Sequence, residues 1–242
     1  MHPRVSKIYS KFKGKSFIFF LKDEVGFGSL LDIGCGENSP IKYVVERGYS
    51  VGLDTFKPSI LKSKRAKLHD DYVLASVSHL CFKPKSFQTA VLVEVLEHLS
   101  KSDGYKIIDQ IEDLAKNRVL VSTPNGFLKQ QEIEGNVNQK HLSGWTVIEL
   151  ENLGFNVYGM NGFRFFLKEQ AGYRINQLWY RVLSDLSQIL AYRYPMIAFQ
   201  LLAVKKVNNN HLKNETKTLQ IRDIHRFQCF EAFLSMRYVF SC

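Results

Sequence analysis

The chain lacks any apolar run approaching the ~18 residues that cross a bilayer, so no spanning helix is expected. Its four cysteines, Cys35, Cys81, Cys229 and Cys242, form no C-x-x-C pair. That pattern suggests neither a zinc framework nor a disulfide scaffold, and it suits a reducing cytosol. The stretch EVLEH (94–98) is not the H-E-x-x-H of a zinc hydrolase, so no metal is expected. No segment repeats. Near the N-terminus, KGKSFIFFLKDE imitates a secretory leader, but its apolar part is short and no small-residue cleavage site follows. It reads instead as the end of a helix packed beside the first strand.

What is present is the composition of a folded body. Hydrophobic residues make up 45% of the 242 positions and aromatics 13%, enough for one core of ordinary size. The formal charge of +10 sits at the ends. Residues 1–24 hold six Lys/Arg against two acids, and residues 205–242 hold seven against three. The body between is nearly balanced. Basic ends suit either a solvated surface or contact with phosphates, on nucleic acid or on a lipid surface. The expected location is the cytoplasm, with contact at a membrane periphery left open.

From Leu30 onward, strands and helices alternate. SLLDIG (29–34), YSVGLD (49–54), DYVLAS (71–76), FQTAVLVE (87–94), RVLVSTP (118–124), FNVYGM (155–160) and MIAFQLLAVKK (196–206) read as strands. Between them, 40–47, 57–68 and 102–116 read as helices, the first opened by Ser39-Pro40 and closed by Gly48. Thr146 and Glu149 propose a capping box for a further helix ending at Gly154. Residues 125–144 have no apolar period and read as a loop. This rhythm predicts an α/β fold: a Rossmann-like, seven-stranded, mostly parallel sheet with helices on both faces. The domain is placed at 1–206. It includes an N-terminal helical segment (1–28) and a helical insertion (163–195) between the last two strands. Residues 207–242 are read as a basic tail.

The stretch LLDIGCGENSP (30–40) is the informative one. Gly34 and Gly36 remove side chains where the backbone leaves the first strand, so a ligand can lie close to it. In an open parallel sheet, ligands bind outside the carboxyl ends of the strands, where the strand order reverses. Asp54, at the end of the second strand, can accept two hydrogen bonds from the hydroxyls of a ribose. It could also simply cap the next helix, and the glycines could simply permit a tight turn. The register G-C-G-E-N-S lacks the third glycine of the dinucleotide fingerprint, which weakens a nicotinamide cofactor.

LDIGCG…GLD resembles the first two motifs of the class I S-adenosylmethionine-dependent methyltransferases. VLASVSHLCFKPKSFQTAVLVEVLEHL (73–99) is similar to that family's third strand, turn and fourth strand, and VLVSTPN (119–125) to its fifth. The resemblance runs from about residue 25 to 206. It implies S-adenosylmethionine as cofactor. Asp32, Gly34 and Gly36 would surround the cofactor's amino-acid end, and Asp54 would take the ribose hydroxyls. Ser76 and Val77 would lie at the adenine, and Glu94 would face the sulfonium. The chain departs from the pattern at Asn38, commonly glycine, and at Ser76, commonly aspartate.

Methyl transfer to an oxygen or carbon acid needs a base. His141, in the loop after the fifth strand, and His98, beyond the fourth, are the candidates. The Asn/Asp-Pro-Pro-aromatic motif of amino-methylating enzymes and the Pro-Cys of cytosine-C5 enzymes are both missing, so no nucleic-acid machinery is seen. A small-molecule or lipid-like acceptor remains. The apolar stripe from Ile175 to Leu190 could cap the site, bury against a partner, lie on a membrane, or pack as ordinary core. Two further readings stand beside the enzyme: a silent binding module of methyltransferase shape, and an NAD-dependent oxidoreductase.

Overall fold

The computed structural model describes residues 17–44, 47–132, 136–164 and 187–207. The start of the N-terminal segment, residues 165–186 of the insertion, and the tail from 208 lie outside the described residues. The elements run α1 (Phe17–Val25), β1 (Leu30–Ile33), β2 (Ser50–Asp54), α2 (Lys57–Arg65), β3 (Asp71–Leu74), β4 (Phe87–Val93), α3 (Lys101–Leu114), β5 (Ala115–Pro124), α4 (Val147–Asn152), β6 (Asn156–Phe163) and β7 (Ala198–Lys206). Single 3-10 turns cover Pro40–Tyr43, Leu96–His98, Val137–Gln139 and Pro195–Ile197. The capping box at Thr146 and Glu149 forms as expected.

The strands make one sheet in the order β3-β2-β1-β4-β5-β7-β6. β1 to β5 are parallel to their neighbours, while β7 runs antiparallel between β5 and β6. The expected seven-stranded, mostly parallel sheet is therefore present. The order reverses on either side of β1, which places a ligand crevice above the ends of β1 and β4. The order ending β5-β7-β6 also departs from the dinucleotide-binding order 3-2-1-4-5-6.

Both faces of the central strands are apolar, and successive residues serve opposite cores. Leu30, Val91, Leu120 and Leu202 face one layer with Phe20, Leu21 and Val25 of α1. Leu31, Leu92, Val121 and Leu201 face the other with Ile107, Ile108 and Ile111 of α3. The helix expected beside the first strand is α1, lying over Leu30 and its neighbours.

One expected helix is shorter than its signals suggest. Ser39 caps and Pro40 opens as predicted, but only one turn follows, closed by Val44 N–H on the Ile41 carbonyl. Two β-branched valines follow at 44 and 45, which fit a helix poorly. Arg47 Nη1 donates to the Val44 carbonyl at 2.8 Å and satisfies it outside any helix. A helix-sized dipole is therefore missing behind the glycine loop.

α3 carries a glycine in its first turn for a packing reason. A Cβ on Gly104 would lie 2.3 Å from Cζ2 of Trp145, a fully buried ring. Gly104→Ala should therefore destabilise the protein. Overpacking of about 1–3 kcal/mol exceeds the ~1 kcal/mol that alanine gains in a helix. Urea unfolding reads this as a lower midpoint; an unchanged midpoint would place the Trp145 ring elsewhere.

Candidate active site

The crest above β1 and β2 is built from backbone and one carboxylate. Gly34 and Gly36 sit at φ +72° and +55°, the left-handed region that glycine enters without cost. Gly34 must also stay bare, since a Cβ there would meet Cγ2 of Val95 at 2.3 Å. At Gly36 a Cβ would meet nothing within 4 Å, so the side-chain side of this residue faces open space. Asp54 reaches across: its Oδ2 accepts from Gly36 N–H at 2.8 Å and its Oδ1 from Phe56 N–H at 2.8 Å. The second contact is a local turn before α2, not a cap of that helix, which has no side-chain cap. A carboxylate has about four acceptor sites, so both oxygens keep a lone pair for hydroxyls.

Below the crest lies a polar core. Asp32 is 1% exposed. Its Oδ2 accepts from Ser39 Oγ at 2.5 Å and stands 2.9 Å from His69 Nε2. Asp32 is thus enclosed by protein and ties β1 to the turn after the glycine loop and to the chain before β3. Its expected place around the ligand becomes a supporting one. Cys35, between the two glycines, is buried. Burial, with the charges of Asp32 and Asp54, pushes its thiol far up, so it stays protonated and unreactive.

The other half of the crevice begins where β4 ends. Glu94 is at φ +54°, an uncommon conformation for a side-chain-bearing residue. It is held there: its N–H donates to the Ser122 carbonyl at 2.9 Å, and its Oε1 accepts from Ser122 Oγ at 2.9 Å and Gln200 Nε2 at 2.7 Å. Glu94, Ser122 and Gln200 thus join the ends of β4, β5 and β7. At the far end of β3, Ser76 is exposed with its hydroxyl 2.8 Å from that of Ser78, and Val77 is half-buried against the core.

The loop after β5 is folded onto the turn after β4. The Glu97 carbonyl accepts from the N–H groups of Leu142 at 2.7 Å and Ser143 at 3.1 Å. The Leu96 carbonyl accepts from Ser143 Oγ at 3.1 Å and Trp145 Nε1 at 3.4 Å. These contacts bring His141 against His98, with ring centroids 4.8 Å apart at 71°. His98 Nδ1 lies 3.2 Å from the Lys140 carbonyl, and His141 Nδ1 lies 2.6 Å from the Leu128 carbonyl. A carbonyl only accepts, so each Nδ1 carries a hydrogen and Nε2 is the ring nitrogen left to accept or ligate. Burial lowers the His98 pKa and the neighbouring His141 lowers it further, against the pull of the Lys140 carbonyl.

Glu97 completes the group. It is buried, at 2% exposure. Its Oε2 accepts from Thr123 Oγ1 at 3.1 Å. Burial, reinforced by the negative charge of Glu94, holds its carboxyl well above the usual carboxylate range. The fold thus brings Glu94, Glu97, His98 and His141 to one end of the crevice, and Asp54, Gly34 and Gly36 to the other. Ser76 and Val77 flank the Asp54 end. Sequence reasoning missed the burial of Glu97 and the parts of Ser122, Thr123 and Gln200. The spacing 94, 97, 98 was a usable signal, because residues three and four apart share one helical face.

The chain is similar to known proteins in this same region. Residues 31–122 match the family model described as a methyltransferase domain. A structure of an S-adenosylmethionine-dependent methyltransferase from Mesorhizobium loti matches at TM-score 0.50 and 16% identity, covering 78% of this chain and 96% of that one. A complex between the Haloferax volcanii Trm112 methyltransferase activator and a methyltransferase matches at TM-score 0.51 and 12% identity, covering 83% and 92%. No curated protein matches the chain in sequence. At such identities the structural likeness speaks for the fold.

The buried Asp32 network yields a direct expectation. Asp32→Ala leaves Ser39 Oγ and His69 Nε2 without their acceptor, a loss of about 2–3 kcal/mol by the cost of unmet buried donors. Urea denaturation should show it. Parental stability in the variant would mean that the network carries no weight.

Proposed function

We propose that this chain, a class I S-adenosylmethionine-dependent methyltransferase by family match and fold, methylates a small-molecule or lipid-like acceptor. The observation that carries the reading is the Asp54 carboxylate set against the side-chain-free backbone of Gly36. A nucleoside with a charged tail fits these groups: a carboxylate for the sugar hydroxyls, bare backbone for the tail, and Glu94 for a positive centre. Bound there, the cofactor supplies a methyl group on a positively charged sulfur.

The residues of the chain then have separable tasks. Gly34 and Gly36 let the backbone lie close, and Asp32 with Ser39 and His69 keeps that loop in place. Asp54 takes the ribose hydroxyls, while Ser76 and Val77 border the base. Glu94, fixed by Ser122 and Gln200, offers negative charge where the sulfonium would sit. His98 and His141 stand on the acceptor side, each with an Nε2 lone pair able to receive a proton from an oxygen nucleophile. Most of the rate gain in an in-line displacement comes from alignment, and a positioned base adds ~10²–10⁴-fold.

The acceptor class is inferred from the rim. Pro124 pairs with Gln200 at the crest end of β5, so the turn before β7 lies beside the crevice. Asn125 Nδ2 holds that turn through the carbonyls of Pro195, Met196 and Ala198. It presents Tyr194, Met196 and Ile197 as exposed apolar groups, and Phe127 is exposed just after β5. An apolar rim suits a lipid-like or aromatic acceptor better than a polar polymer. Among the described residues no helix is long and apolar enough to cross a membrane.

Two measurements test this reading. Calorimetry with S-adenosylmethionine should show Asp54→Ala binding at least tenfold more weakly, since ~1.4 kcal/mol is a modest loss for charged hydrogen bonds. Unchanged affinity in a folded variant would remove the ribose assignment. Incubation with methyl-labelled cofactor and cell extract should put label into the organic-soluble or small-molecule fraction. Label confined to protein or nucleic acid would overturn the acceptor class.

A further inference from the structure

We infer that Glu97, His98 and His141 form a binding site for a first-row divalent cation such as Zn²⁺ or Mn²⁺, beside the methyl-transfer crevice. One ligand atom from each of the three residues lies within 4.8 Å of the others. Metal–nitrogen distances of about 2.1 Å set donors roughly 3–4 Å apart, so small side-chain rotations close the shell.

Three observations support a cation here over a chance meeting of polar groups. The first is the orientation of the imidazoles. Both donate Nδ1–H to main-chain carbonyls, Lys140 for His98 and Leu128 for His141. Metal-bound histidines are held in the same way, with the far ring nitrogen fixed and the lone pair aimed at the ion. The second is charge. Glu97 is buried beside a second carboxylate, Glu94, and among the described residues no lysine or arginine pairs with Glu97. The third is support around the ligands. Thr123 donates to Glu97 Oε2, and the carbonyl clamp from Glu97 to Leu142 and Ser143 fixes the loop that carries His141.

The donor set selects the ion. Two imidazole nitrogens and a carboxylate favour borderline first-row metals over Ca²⁺, which prefers a shell of oxygens. Three protein donors leave at least one position open. That position would take an oxygen of the acceptor. The inference therefore deepens the functional reading: the two imidazoles act as ligands instead of bases, and the acceptor is an oxygen nucleophile.

The test uses the full chain, stripped with a chelator and dialysed. Calorimetry with ZnCl₂ and MnCl₂ should show one site per chain that CaCl₂ does not fill. His98→Gln and His141→Gln should each weaken it at least tenfold, and the double variant should abolish it. His79→Gln, at an exposed position, should leave it unchanged. Circular dichroism checks that each variant folds; if His141→Gln does not, the half-buried His98 carries the test. No uptake by the folded parent, or equal affinity in the folded His98→Gln variant, overturns the site. S-adenosylmethionine titrated into the same stripped protein keeps the two readings apart. Loss of cofactor binding in the parent would count against the methyltransferase assignment, and loss of metal binding alone against this one.

Discussion

A carboxylate held against a main-chain amide is the contact on which the crevice depends. Asp54 ends β2 and Gly36 lies in the loop after the adjacent strand β1, and the bond between them fixes how far the glycine loop stands from the end of β2. Parallel strands alone do not set that distance, because each ladder stops where its strand stops. The loop beyond β1 has a single 3-10 turn behind it. It therefore cannot lean on a long helix, and its position comes from side chains: Asp54 from above, and Asp32 through Ser39 and His69 from below. A polar network takes the place that a helix terminus and its dipole would hold.

The opposite side of the crevice is built by another device. There the sheet supplies only the floor, and an irregular segment supplies the wall. Trp145 is driven into the space left by Gly104, with Lys101 Nζ 3.7 Å from its ring centroid. Its indole N–H and the Ser143 hydroxyl meet the Leu96 carbonyl. A short turn leaves its carbonyls unpaired, and the loop satisfies them. That exchange makes the position of His141 a consequence of packing at Trp145, four residues away. The large apolar ring anchors the loop, and the histidine is carried to its place beside His98.

This division explains which features were legible in the sequence. The strands, the glycine pair, Asp54 and the capping box at Thr146 all rest on local rules of spacing and backbone geometry, and these survive in one dimension. The helix predicted over 40–47 failed because its start signals were real, but its continuation met two valines and a competing arginine. The burial of Glu97 comes from the loop at 142–145, roughly 45 residues downstream. The histidine pair was named one residue at a time, and only the fold makes it a pair. Contacts between distant loops leave no period for a sequence reading to find.

A buried carboxyl beside another carboxyl is an arrangement that stability alone would not retain. Removing such a group from water without a matched charge costs several kcal/mol, and an apolar residue of similar size would remove that penalty. The same holds for Glu94, kept at a positive φ that a glycine would adopt with less strain. Yet both residues are surrounded by dedicated donors, Ser122 and Gln200 for one and Thr123 for the other. Donors of this kind keep a carboxylate aimed, which matters only if something positive is to meet it. In the proposed function the positive partner of Glu94 is a sulfonium, and in the further inference that of Glu97 is a cation shared with the two imidazoles. On those two proposals, the uncommon backbone of Glu94 and the buried carboxyl of Glu97 serve binding rather than stability.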